Sequence, residues 1–205
     1  MKLASDFNFE KKLWSSKINF VAGVDEVGRG AWAGPVVAAA VVFPKNIQFP
    51  TDLYDSKLLL PRQREYLSKL IYRLARSVGI GSADVHTINK QGISKATHIA
   101  FRSAIKNLLI KPDHILVDAF YIKRLRRGNQ TPIKKGDVIC ASISAASIVA
   151  KVYRDYIMRN LSKKYPQYHF GKNKGYGTRV HQEAIRKNNF TEIHRRSFNL
   201  DYLIQ

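Results

Sequence analysis

The chain is poor in acidic residues, in sulfur and in long apolar runs. Its 205 residues include one cysteine, Cys140. That excludes an internal disulfide scaffold and favours a reducing compartment. No apolar run approaches the roughly 18 residues that a membrane-spanning helix needs. The first residues, Met1 to Ser16, carry Asp6, Glu10, Lys11 and Lys12 and no apolar core, unlike a secretory signal. The single cysteine and six dispersed histidines give no zinc-ligand spacing, and there is no Walker-type phosphate loop. A soluble, cytoplasmic protein is the expectation that remains.

The scarcity of acid is the informative one. Fifteen Asp and Glu stand against 35 Lys and Arg, a formal net charge of +20, far beyond what solubility requires and pointing to a polyanionic partner. The excess is uneven: residues 1–120 hold 17 basic and 10 acidic side chains, residues 121–205 hold 18 and 5. Tyr165, Tyr168, Phe170, Tyr176 and Phe198 lie among these charges, as a surface that pairs phosphates and stacks bases would need. Binding to a membrane surface is a weaker reading, because the charges do not follow one amphipathic helix. A basic face serving only solubility is a third.

The 45% hydrophobic and 24% charged fractions are those of a globular protein, and the length suits one domain with at most a helical appendage. Phe20 to Val24 and Pro35 to Phe43 read as buried strands, as do Val78 to Ala83 and His114 to Val117. Pro61 opens a helix with Leu67, Leu70, Ile71, Leu74 and Val78 at helical spacing. Ile93, Ala96, Ala100, Ala104 and Leu108 mark one face of a second. Ala141 to Tyr165 reads as a long helix, and Arg179 to Lys187 as a shorter one capped by Thr178. Strands first and helices last predict an α/β layer with a mixed sheet, followed by a basic, helical C-terminal part at about 155–205.

Two apolar segments and one turn deliver carboxylates. Gly23-Val24-Asp25-Glu26-Val27-Gly28-Arg29-Gly30 delivers two, Ile115-Leu116-Val117-Asp118 one, and Lys135-Gly136-Asp137 another after a turn. Neighbouring strand residues point to opposite faces, so Asp25 and Glu26 are expected to share an ion only where the chain turns or bulges, which Gly28 and Gly30 permit. Clustered carboxylates in so basic a chain call for a hard divalent cation, which takes oxygen ligands and keeps places for water and phosphate. Cys140 reads as a small buried hydrophobe.

These blocks resemble ribonuclease HII. Gly23 to Gly30, continued by Ala33-Gly34-Pro35-Val36-Val37-Ala38-Ala39-Ala40, looks like that family's first signature. Asp55-Ser56-Lys57, Ile143 to Asp155, Lys174-Gly175-Tyr176-Gly177-Thr178 and His194-Arg195-Arg196-Ser197-Phe198 match further blocks, so the likeness runs from about residue 9 to 200. It implies a ribonuclease H-like fold, one catalytic domain over 1–205, and Mg²⁺- or Mn²⁺-dependent hydrolysis of RNA joined to or paired with DNA. The 3′-hydroxyl and 5′-phosphate ends, cleavage at single embedded ribonucleotides and a monomeric state are further expectations of this reading. By motif position Asp25, Glu26, Asp118 and Asp137 would be the metal-holding catalytic quartet. Gly28, Arg29 and Gly30 would read the 2′-hydroxyl, Tyr176 would sense the ribose–deoxyribose junction, and Lys57, Ser144 and Lys151 would serve phosphates or support the residues that hold the ion. Two places depart from the family pattern: Ala119 stands where Gly is usual, ahead of the basic loop Lys123-Arg124-Leu125-Arg126-Arg127, and Ala31-Trp32 stands where Pro-Leu is frequent. A non-catalytic RNA-binding protein and another nuclease of the same superfamily remain as alternatives.

Overall fold

The structure, a computed structural model, describes residues 4–204. Its elements follow in chain order: α1 (Asn8–Ser15), β1 (Val21–Val27), β2 (Val36–Val42), α2 (Pro61–Leu74), β3 (Ser77–Ala83), α3 (Val85–Lys106), β4 (His114–Asp118), β5 (Gln130–Ile133), α4 (Gly136–Ile139), α5 (Ala141–Lys164), α6 (Phe170–Asn173) and α7 (Arg179–Asn188). The five strands form one mixed sheet in the order β3-β2-β1-β4-β5. The β1–β2 and β2–β3 pairs are antiparallel, and β4 runs parallel to both β1 and β5.

Strand alternation sorts the sheet into two buried faces. Ala22, Val24, Ala38, Ala40 and Val117 pack with Ala96, Ala100, Phe101 and Ala104 of α3. Val37, Ala39 and Val41 pack on the other face against Ala145, Ala146 and Val149 of α5, and Leu67, Leu70 and Ile71 of α2 join them. Both faces are apolar, so the strands read as continuous hydrophobic runs. Asp84 begins α3 by accepting the Thr87 N–H at 2.8 Å, and Thr178 caps α7 through the His181 N–H. The α3 segment is broken at Gly92, whose φ of 78° is not helical.

A third core lies beyond the sheet, where Met158 at the far end of α5 meets Tyr165, Tyr168, Phe170, Ala184, Ile185, Leu200 and Leu203. This corrects the expectation for the C-terminal aromatics: Tyr165, Tyr168 and Phe170 are buried, at 8%, 1% and 0% exposure, and cannot stack on bases. They hold α6 and α7 together, because these short helices have no apolar sheet to lie on. No helix among the described residues is long and apolar enough to cross a membrane.

Candidate active site

The parallel pairing of β1 and β4 places their carboxyl ends side by side. Val24 lies opposite Val117, so Asp25 and Asp118 come next in register on adjacent strands. Ligands of open α/β sheets commonly bind at such ends. Asp25, Glu26, Asp118 and Asp137 line one cleft of about 670 Å³ with Gly28, Arg29, Gly30, Lys57, Lys151 and Tyr176. β1 stays regular through Asp25 and Glu26, which pair with Ala39 and Ala38. No bulge brings the two acids together; the cleft wraps the strand end, and the chain turns only at Gly28.

The acids are crowded. Burial pushes the Asp25 carboxyl well above its ordinary range, and the charges of Glu26 and Asp118 push it further, against hydrogen bonds from Ser147 and from the Glu26 N–H at 2.7 Å. Glu26 is raised by burial, with Arg29 pulling it down and Asp118 pushing it up. Asp118 is also raised by burial, while the Gly136 N–H, donating at 2.8 Å, opposes the shift. Lys57 reaches Asp137 Oδ2 at 2.9 Å. Lys151 donates to Asp155 at 2.6 Å rather than to any of the four acids.

This donor set fits a hard divalent ion. It is all oxygen, its charges repel one another, and no cation is bonded to Asp25 or Asp118 among the described residues. Among the described residues no three carboxylate, His or Cys side chains are grouped closely enough to hold a metal ion by themselves. An open set suits an ion that retains water and takes substrate phosphate, as Mg²⁺ does.

Ser144 lies outside the cleft lining. Ser144 is fully buried, and its hydroxyl donates to Tyr54 O at 3.3 Å. Ser147, one turn further along α5, lines the cleft instead, together with Ser56, whose Oγ lies 2.9 Å from Ser147 Oγ. The two serines share a helix face at i, i+3 and differ in their place along it: Ser144 bonds Tyr54, while Ser147, one turn on, reaches the cleft.

The glycine segment is held from behind by two arginines that sequence patterning did not single out. Arg154 and Arg195 are both at 0% exposure. Arg154 donates to Pro35 O, Lys174 O and Ala33 O at 2.9, 2.8 and 3.1 Å. Arg195 donates to Gly34 O at 3.0 and 2.8 Å and to Arg29 O at 2.8 Å. Carbonyls take the place of counter-ions, and burial, followed by repulsion from Arg154, holds Arg195 down to about 9. A Cβ on Gly28, whose φ is 90°, would collide with the Arg154 side chain, whereas one on Gly30 would meet nothing within 4 Å.

Tyr176 stands on the same brace, with the Arg154 guanidinium 5.6 Å from its ring centroid. Its carbonyl accepts from His181 Nδ1 at 2.9 Å, and His181 Nε2 lies 3.1 Å from His194 Nε2. The Thr191 N–H donates to His194 Nδ1 at 2.9 Å. These partners assign both neutral tautomers: His181 carries its proton on Nδ1 and His194 on Nε2. Burial and then His181 keep His194 down to about 4. Trp32, at the departure from the family pattern, packs on this assembly, its backbone N–H donating to Gly175 O at 2.7 Å and its ring 6.0 Å from His181. Ala119 adopts the left-handed φ of 64°, so the backbone keeps a glycine-like conformation there without the glycine.

A family model described as Ribonuclease HII matches residues 22–201. The chain is 49% identical over 190 residues to Ribonuclease HII of Caldanaerobacter subterraneus subsp. tengcongensis, covering 93% of this chain and 78% of that protein. It is 45% identical to the Ribonuclease HII of Syntrophus aciditrophicus, covering 94% and 90%. The fold is similar to that of ribonuclease H2 from Pyrococcus horikoshii OT3, with a TM-score of 0.74, 28% identity and coverage of 89% and 97% of the two chains.

Proposed function

The chain belongs to the ribonuclease HII family, and from that premise we propose that it hydrolyses the RNA strand of RNA–DNA hybrids and the bond 5′ of a single ribonucleotide embedded in duplex DNA. The products are a 3′-hydroxyl and a 5′-phosphate. The observation that carries this reading is the delivery of four carboxylates by β1, β4 and α4 into one cleft beside the Gly28–Gly30 segment.

Asp25, Glu26, Asp118 and Asp137 would hold Mg²⁺ or Mn²⁺. When bound, such an ion polarises the phosphate and lowers the pKa of attached water. The protein's own part is positional. Ser147 and the Glu26 N–H orient Asp25, the Gly136 N–H orients Asp118, and Lys57 steadies Asp137. Gly28, Arg29 and Gly30 line the cleft as a backbone edge, and a 2′-hydroxyl, both donor and acceptor, is what such an edge can read. The open space around Gly30 admits the sugar. Tyr176 offers an aromatic surface against which deoxyribose fits and a further hydroxyl fits poorly.

The test is cleavage of a DNA duplex containing one ribonucleotide and of a longer hybrid, with EDTA or with Mg²⁺ or Mn²⁺. Metal-dependent nicking 5′ of the ribonucleotide is expected, and binding without nicking would overturn the reading. Tyr176→Ala is expected to keep duplex binding and to lose single-ribonucleotide cleavage far more than hybrid cleavage. Equal losses on both substrates would leave Tyr176 as a structural anchor.

A further inference from the structure

Outside the cleft, cations without acidic partners gather between α3 and the loop after β4. Lys95 and Arg102 of α3 and Lys123 and Arg124 of the loop line a concavity of about 340 Å³ with His98. No carboxylate lines it, and none of these four cations forms an ion pair among the described residues. The arrangement is built by specific bonds. Arg102 donates to Lys123 O at 3.1 Å, and the Lys123 N–H donates to His98 Nδ1 at 3.4 Å. Arg124 takes a left-handed φ of 65°, a conformation costing about 1–3 kcal/mol for a residue with a Cβ. An anion bound among these cations would relieve their mutual repulsion.

The concavity also has a direction. His98 accepts at Nδ1, so the neutral ring carries its proton on Nε2, and the residue lines the concavity. The same ring meets Phe120 edge-on at 5.5 Å, and Phe120 lies 5.2 Å below the Arg29 guanidinium. One aromatic ring therefore separates the concavity from the Gly28–Gly30 segment.

We propose that this concavity is a second phosphate site, taking a backbone phosphate of the bound duplex at a nucleotide away from the cleaved bond. The proposal rests on the nuclease reading of the cleft. A duplex lying along the glycine segment would reach the concavity by passing Phe120, which lies between Arg29 and His98. Exposed lysines and arginines suit a backbone phosphate, which carries no base identity. His98 supplies an independent readout. Burial, then Lys123, Arg102 and Arg29, hold its pKa below the usual histidine range, and a phosphate in the site would raise it.

Duplex binding in EDTA over a salt series tests this with two charge-matched double variants. Lys95→Gln with Arg124→Gln removes two cations from the concavity. Lys45→Gln with Arg76→Gln removes two from a groove at the opposite end of the sheet. The first pair is expected to weaken hybrid binding by about tenfold near physiological salt and to flatten the log–log salt slope by up to about two. The second pair is expected to change either much less, and the His98 pKa measured by NMR is expected to rise when wild type binds duplex. Equal effects of the two pairs, or none from the first, would overturn the site. So would a His98 pKa raised by inorganic phosphate or a mononucleotide but not by duplex, which would assign the concavity to a free ligand. Turnover at saturating substrate separates the two readings. If the first pair weakens binding in a protein that never nicks, the nuclease reading falls and the phosphate site stands.

Discussion

Asp25 is only 5% exposed and has Glu26 and Asp118 as neighbours. A carboxylate whose folded pKa is raised binds protons more readily folded than unfolded, so its ionisation opposes folding. In metal-free protein this penalty is absent below the unfolded pKa of about 4 and grows as pH rises through the raised folded values of Asp25, Glu26 and Asp118. Asp25→Asn keeps the volume and removes one of these charges. It is expected to lower cleavage by orders of magnitude while raising the metal-free melting temperature at pH 7, with the gain vanishing near pH 4. Thermal scans in EDTA at the two pH values check the sign. An unchanged Tm at pH 7, or near-normal cleavage, would contradict the crowding.

At the scale of elements, the glycine segment between β1 and β2 depends on α5 and the C-terminal residues through Arg154 and Arg195. Gly28 and Gly30, two residues apart in one motif, therefore differ in what they are for. Gly28→Ala is expected to displace Arg154 and strain a φ of 90°, costing about 1–3 kcal/mol and several degrees of Tm. Gly30→Ala is expected to leave Tm unchanged, so any loss of cleavage there reports the substrate alone. Paired melting and cleavage measurements distinguish the two, and equal destabilisation would show that Gly30 is also built into the protein. The sequence was legible where the signal is local. The apolar runs that became β1, β2, β3 and β4, the helices α2, α5 and α7, and the acids ending two strands all carry their own pattern. β5 escaped because it has four residues and contains Pro132, which a sheet edge tolerates. Gly92 hid the first turns of α3. Arg154 and Arg195 left no local trace: the carbonyl partner of Arg195 on Gly34 is 161 residues away, and in sequence both read as part of a basic surface.

Over the whole molecule, the net charge of +20 acts on phosphates regardless of sugar, while in the proposed mode of action the 2′-hydroxyl is met at the cleft. Binding and cleavage are therefore expected to discriminate differently. In EDTA at low salt an all-DNA duplex is expected to compete within about tenfold of a hybrid, yet to remain uncut with metal. A competitor weaker by several orders of magnitude would mean that ribose is sensed during binding itself. The brace of buried arginines bears on a different matter, the order in which the protein is made. The sheet and its acids are complete once residue 137 has emerged and α5 can cover them, but the carbonyls of Arg29 and Gly34 wait for Arg195, near the end of synthesis. Domains fold as their parts become available during translation. A nascent chain thus holds its four carboxylates well before the Gly28–Gly34 backbone is secured by Arg195, and that part of the cleft wall is completed only when nearly the whole polypeptide is present.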